Sequence, residues 1–215
     1  MVRSPARLAR RRLLTSAAML IGAPLGARMA MAEPATRGAE RVVERLVLHV
    51  WNLIRSRGME GISYEELLPA IERQTDLALL ARLALGRHWR RATPAQRIEF
   101  VDLFRRYVLQ TFIRRLRSYG GASLGPPGDG FRIVASDPVG RRDVLVRTRL
   151  QPPAGEALQI DWRLRQRDGE PVIIDLIVEG VSLLVTQRAE FATVIERGGI
   201  DGLLTELRAR IGQPI

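Results

Sequence analysis

His49 and His88 are the only imidazoles in the chain, and neither stands at a spacing from Asp or Glu that would make a catalytic dyad or a metal pair. There is no cysteine, which excludes thiolate metal sites and thiol nucleophiles and leaves the redox compartment open. No serine sits in a Gly-x-Ser-x-Gly elbow, and Ser182, in Gly180-Val181-Ser182, stands where a helix needs a cap. The glycines form neither a Gly-x-Gly-x-x-Gly turn after a strand nor a phosphate loop, so no nucleotide cradle is visible. An enzyme of this composition would need a carboxylate projecting into a pocket with a displaced pKa. Asp161 and Asp175 are the strand carboxylates that qualify for inspection. Asp161 alternates with an apolar row and is expected to face outward, while Asp175 has no evident partner. The residues therefore predict no catalytic group, no metal and no cofactor.

Basic clusters offer a different chemistry. Arg87, Arg90 and Arg91 flank His88 and Trp89 and could meet phospholipid headgroups or an acidic membrane surface; a solvated helix face explains them equally well. For Arg114, Arg115 and Arg117 the solvated face is the better reading. The formal charge of +11 over 215 residues suggests nucleic acid, but six arginines and no acid lie in residues 1–32, and without them the chain carries +5. That stretch has the layout of an export signal: basic through Arg12, apolar from Leu13 to Ala27, then Ala30-Met31-Ala32 as a small-residue cleavage site. Arg10 and Arg11 followed by Leu13 and Leu14 resemble a twin-arginine signal, whereas Ala9 stands where that pattern prefers a hydroxyl, so the general secretory route stays open. The expected organisation is a signal at 1–32, removed near Ala32, and one domain at 33–215 in the periplasm, where nucleic acid is not an expected partner.

The elements that must position any site follow from the hydrophobic period. Val43, Leu46, Val47, Val50 and Ile54 fall on one face of a helix expected over Glu40 to Ile54. Ser63 with Glu66 three residues on makes a capping box for a second helix, and an Ala/Leu-rich third is expected from Asp76 to about Trp89. Thr93-Pro94-Ala95-Gln96 opens a long fourth helix with Phe100, Leu103, Phe104, Tyr107, Val108, Phe112 and Leu116 on one stripe. Tyr119-Gly120-Gly121 stops it, and a turn-rich loop at Gly125-Pro126-Pro127-Gly128 follows. The period then changes to alternation, predicting strands at Phe131 to Ala135, Val144 to Leu150, Leu158 to Arg165 and Val172 to Glu179. Pro152-Pro153-Ala154-Gly155 and Asp168-Gly169 supply the turns between them. Two closing helices, the first capped by Ser182 and ended by Gly198-Gly199, complete an α+β fold: an antiparallel meander of about four strands with helices against one face. The long helix, the sheet and the last helices all offer apolar faces, enough to enclose either a filled core or a hollow one.

With these elements placed, the sequence resembles the MlaC family, also called toluene-tolerance auxiliary proteins. Three stretches carry the likeness: Leu85-Gly86-Arg87-His88-Trp89-Arg90-Arg91-Ala92-Thr93-Pro94-Ala95-Gln96-Arg97 running on to Phe100 and Phe104; Asp175-Leu176-Ile177-Val178-Glu179-Gly180-Val181-Ser182-Leu183; and Phe191 followed by Gly198-Gly199-Ile200-Asp201-Gly202-Leu203. The sequence departs from the pattern before Asp175, where members often carry a tryptophan and an aromatic and this chain has Pro171 and Ile174. The resemblance implies a cone related to the nuclear-transport-factor-2-like fold, whose apolar pocket takes the acyl chains of a phospholipid and leaves the headgroup in water. It implies a monomeric shuttle between an outer-membrane MlaA-type lipoprotein complex and an inner-membrane MlaFEDB-type ABC transporter complex. On the matching elements the pocket candidates are Phe100, Phe104, Val108, Phe112, Trp162, Leu164, Ile174, Val178, Val185 and Phe191. Alternatives are a carrier of another long apolar lipid such as a hopanoid, a small enzyme on the same cone, and an adaptor with a filled core.

Overall fold

The computed structural model describes residues 25–58, 60–118, 130–151 and 156–212, with the backbone alone at 25–34, 116 and 118. The expected export signal up to residue 24, and the turns expected at 119–128 and 152–155, lie outside these residues.

Among the described residues, five α-helices and a five-stranded antiparallel sheet follow one another in the expected order: α1 (Leu25–Arg57), α2 (Tyr64–Gln74), α3 (Leu77–Leu85), α4 (Pro94–Ser118), β1 (Phe131–Val139), β2 (Asp143–Leu150), β3 (Leu158–Arg167), β4 (Glu170–Val178), β5 (Val181–Ser182) and α5 (Leu183–Ile211). The helix starts are set by side chains that meet free backbone amides. Ser63 and Glu66 form the reciprocal capping box at α2, Asp76 Oδ1 accepts from the Leu79 amide at α3, and Thr93 and Gln96 exchange the same pair of bonds at α4.

Several boundaries differ from the sequence expectation. Helix α1 begins fifteen residues earlier than Glu40, and the expected cleavage point near Ala32 falls inside it. Helix α3 stops at Leu85 rather than near Trp89, because Gly86 turns to φ 56° and the chain tightens into a 3-10 turn over Gly86–Arg90. The two closing helices run on as one element, broken where Gly199 leaves helical geometry at φ 66°, ψ −170°. Strand β1 extends past Ala135 to Val139, and a short fifth strand pairs with the end of β4.

The strands form a simple meander in the order β1-β2-β3-β4-β5. Its inner face carries Val144, Val146 and Thr148 of β2 opposite Leu164, Trp162 and Ile160 of β3. Thr148 interrupts the apolar row for a reason: its Oγ1 accepts from Trp162 Nε1 at 3.1 Å and donates to the Ile160 carbonyl, so the buried indole keeps a partner. The outer face is an arginine and aspartate ladder, in which Asp143 is clamped by Arg163 and Arg165 and Arg147 pairs with Asp137, while Arg167 at the end of β3 pairs with Asp76 of the α3 cap. Among the described residues the helices thus lie against one face, as in other α+β folds.

Two apolar clusters lie under the helices. The larger joins α1 and α2 to the sheet through Val43, Leu46, Leu67, Val146 and Trp162. The smaller joins α3, α4 and α5, and at its centre Phe191 meets Phe100 edge-on with ring centroids 5.7 Å apart. Val108 packs against both clusters.

Candidate functional site

Between the two clusters the interior is hollow. A cavity of about 320 Å³ runs between the sheet and the helices, within the range of small-molecule pockets. Its walls are apolar side chains from every layer: Leu46, Val47, Val50 and Trp51 of α1, Ile71 of α2, Leu77, Leu80 and Ala84 of α3, Phe104, Val108 and Phe112 of α4, and Phe131, Leu150, Leu158, Ile160, Trp162, Leu176 and Val178 of the sheet. The lining residues that reach solvent are Arg115, Thr186 and Glu190, which place the mouth between the last turns of α4 and the first turns of α5.

Six of the ten sequence-derived pocket residues line this space: Phe104, Val108, Phe112, Trp162, Ile174 and Val178. The other four stand elsewhere. Phe100 and Phe191 fill the α3–α4–α5 cluster, and Leu164, 1% exposed, is packed into the core one register step beyond the cavity wall. Val185 is 60% exposed, because the first turn of α5 directs Leu183 and Leu184 to the cavity and Val185 away from it. Arg87, Arg90 and Arg91 do not line the cavity; Arg87 pairs with Glu196 at 3.2 Å, and Arg90 and Arg91 are exposed. The contribution of α1 was missed. Its stripe of Leu46, Val47 and Val50 was legible, but a stripe does not reveal whether its far side meets another side chain or a void.

The polar lining is engaged with itself. Asp175 borders the cavity, yet its Oδ2 accepts from Ser182 Oγ at 2.5 Å and its Oδ1 from the Leu184 amide at 3.0 Å. The expectation that Asp175 lacks a partner is therefore corrected: together with Ser182, which accepts from the Val185 amide, it caps α5 and sets a negative charge at the positive end of that helix. Tyr107 donates to Gln187 Oε1 at 3.0 Å and tethers α4 to α5 beside the cavity. Asp161 is on the outer face, opposite Arg147, as expected, and is buried there while accepting from the Gln159 side chain. His88 is buried; desolvation first, then Arg87 and Arg91 beside it, push its pKa below the ordinary imidazole value, and its Nε2 accepts from Arg87 Nε. Among the described residues no three His, Asp or Glu side chains come together to hold a metal. The site has the shape and chemistry to hold an apolar body, since its lining is mainly apolar and Asp175 and Tyr107 are hydrogen-bonded to protein groups.

The sequence matches the MlaC family model (MlaC protein) over residues 53–209. The chain belongs to the MlaC family. It is similar to the intermembrane phospholipid transport system binding protein MlaC of Haemophilus influenzae, at 23% identity over 161 residues, covering 73% of this chain and 70% of that protein. In fold it is similar to the phospholipid-binding protein from Ralstonia solanacearum, solved in complex with a phospholipid, with a TM-score of 0.64 and 23% identity over 83% of this chain and 97% of the other. The meander wrapped by helices is thus the family's fold, and the region matched takes in α2 to α5 and the whole sheet.

Proposed function

We propose that this MlaC-family protein is a periplasmic phospholipid carrier that does no chemistry on its cargo and shuttles it between an outer-membrane MlaA-type complex and an inner-membrane MlaFEDB-type transporter. The observation that carries this reading is the apolar cavity with its solvent-reaching mouth. Each methylene moved from water into such a space gains about 0.8 kcal/mol, so acyl tails are held by area alone, with no demand for a particular headgroup. The same arithmetic makes release feasible, since a bilayer or a partner's apolar channel offers the tails an equal environment and the net cost of transfer is small.

On this reading Phe104, Val108, Phe112, Trp162, Ile174 and Val178 touch the tails, and the headgroup sits at the mouth near Arg115, Thr186 and Glu190. Residues 1–32 are the signal that exports the chain and is then removed, leaving 33–215 as the carrier. Two relatives support the reading, one the binding protein of an intermembrane phospholipid transport system and the other a phospholipid-binding protein. The test is to isolate the exported protein without detergent and identify extracted lipid by mass spectrometry. Stoichiometric phospholipid is expected; a hopanoid in its place would change the cargo, and lipid-free protein that takes up none from vesicles would overturn the proposal.

A further inference from the structure

The cavity mouth lies along the seam between α4 and α5. Tyr107, Thr111 and Arg115, spaced by one helical turn on α4, form one lip; Leu183, Thr186, Gln187 and Glu190, on one side of the first turns of α5, form the other. Behind that lip α5 is two bodies. Gly199, at φ 66° and with open space around it, separates residues 183–198 from residues 200–211. Helix α4 holds the two parts unequally. It is bonded to the second through Gln96 and Asp201, Glu99 and Arg208, Tyr107 and Arg210, and Gln110 and the Ile211 carbonyl. To the first it is bonded through Tyr107, whose hydroxyl donates to Gln187 Oε1 at 3.0 Å. Residues 183–198 otherwise form a surface helix. Among these described residues Phe191 is the one fully buried side chain, resting on Phe100, Phe104 and Tyr107, while Arg188 and Glu196 reach the Leu83 carbonyl and Arg87 from exposed positions. At the leading end the Asp175 cap ties the first turn to β4, just after Gly180 at φ 78°.

We propose that residues 183–198 are the gate of the cavity and that the Tyr107–Gln187 hydrogen bond is its latch, setting how fast cargo enters and leaves rather than how tightly it is held; the proposal rests on the carrier reading above. A segment with little buried surface, set between two glycines at positive φ, opens at lower cost than the rest of the fold. The second part of α5, fastened to α4 beyond Gly199, is the fixed frame against which it moves. Tyr107 joins the two: its hydroxyl accepts from Arg210 Nη1 of the fixed part while donating to Gln187, whose own amide is held on Glu190. Tyr107 and Gln187 are thus positioning residues. Their bond joins protein to protein, so its loss speeds entry and exit alike and leaves affinity unchanged.

Stopped-flow transfer of a pyrene-labelled phospholipid from the loaded, exported protein to acceptor vesicles tests this. Y107F keeps the ring against Phe191 and removes the donor; Q187L removes the acceptor. One hydrogen bond between neutral groups corresponds to roughly three- to tenfold in rate. Each variant is therefore expected to release lipid faster by that factor, with the amount of copurified lipid unchanged, and the double variant no faster than either alone. E99A, which severs the bond from α4 to Arg208 beyond Gly199, is expected to release lipid at the wild-type rate. Wild-type rates in Y107F and Q187L, an equal rise in E99A, or a double variant as fast as the product of the two single effects overturns the proposal. Entry of Nile red into delipidated protein, measured in parallel, reads the gate without phospholipid. A wild type that holds no phospholipid sinks the carrier reading; the gate then stands if the dye enters the variants in the same order of rates, and falls if it does not.

Discussion

Val108 and Val178 face the cavity from opposite layers, one on α4 and one at the end of β4, and both are only partly buried by protein. A carboxylate at either place stands in the cavity rather than in the close-packed core, where an unpaired charge would be most damaging. V108D or V178D is expected to fold and to lose copurifying lipid; unchanged lipid content by mass spectrometry would remove that residue from the lining. Asp143 illustrates the opposite case, since its side chain is 6% exposed between Arg163 and Arg165. Burial alone would raise its pKa, but the hydrogen bonds from Arg165 and Arg163 more than offset this and hold it below the ordinary carboxylate value. The stability it contributes is thus complete above the unfolded value and is lost as pH falls through the lower folded one. D143N should cost about 2 kcal/mol at neutral pH in urea denaturation and flatten the acid limb of the stability curve. His88 has the same sign of dependence by another route: its folded pKa lies below 6.5, so the unfolded chain takes up the proton first and stability falls as pH drops below 6.5. Replacing it with glutamine should remove that slope.

At the scale of elements, the helix caps were the most legible features. Ser63, Thr93 and Ser182 act on amides three residues ahead, and an interaction of that range is written locally in the chain. Thr93→Ala is expected to lower stability by about 1 kcal/mol without changing lipid content. The helix ends were less legible. Glycine is permitted at positive φ but not required to adopt it, so Gly86 ended α3 earlier than the apolar period suggested, and Gly199 broke α5 without ending it. Gly199→Ala should cost roughly 1–2 kcal/mol in thermal or chemical denaturation, since a side chain at that φ is strained although the space around it is open.

The whole molecule is organised around an unfilled centre. A folded chain ordinarily packs its interior to the density of an organic crystal, and a void of this size forfeits dispersion contacts along every wall. A ligand that fills it stabilises the fold by mass action, so delipidated protein should melt below the loaded form. Thr111→Trp places a large ring in the cavity from α4 and is expected to reduce copurified lipid while the delipidated variant melts no lower than delipidated wild type. A lower melting point with normal lipid content would show that the indole disturbs packing instead of occupying the space.

The amino-acid sequence determined the order and type of the elements, their caps, the α+β class and the family, because each rests on a local period, a short-range hydrogen bond or a run of matching residues. It also showed which faces are apolar. Only the tertiary structure decided which apolar residues meet one another and which meet a void. Phe100, Phe191 and Leu164 share the period of Phe104, Phe112 and Trp162, yet the first three fill the core and the others line the cavity. Periodicity assigns a side chain to a face; how far the opposing face stands from it is fixed by crossing helices and the twist of the sheet, and these are relations between distant parts of the chain.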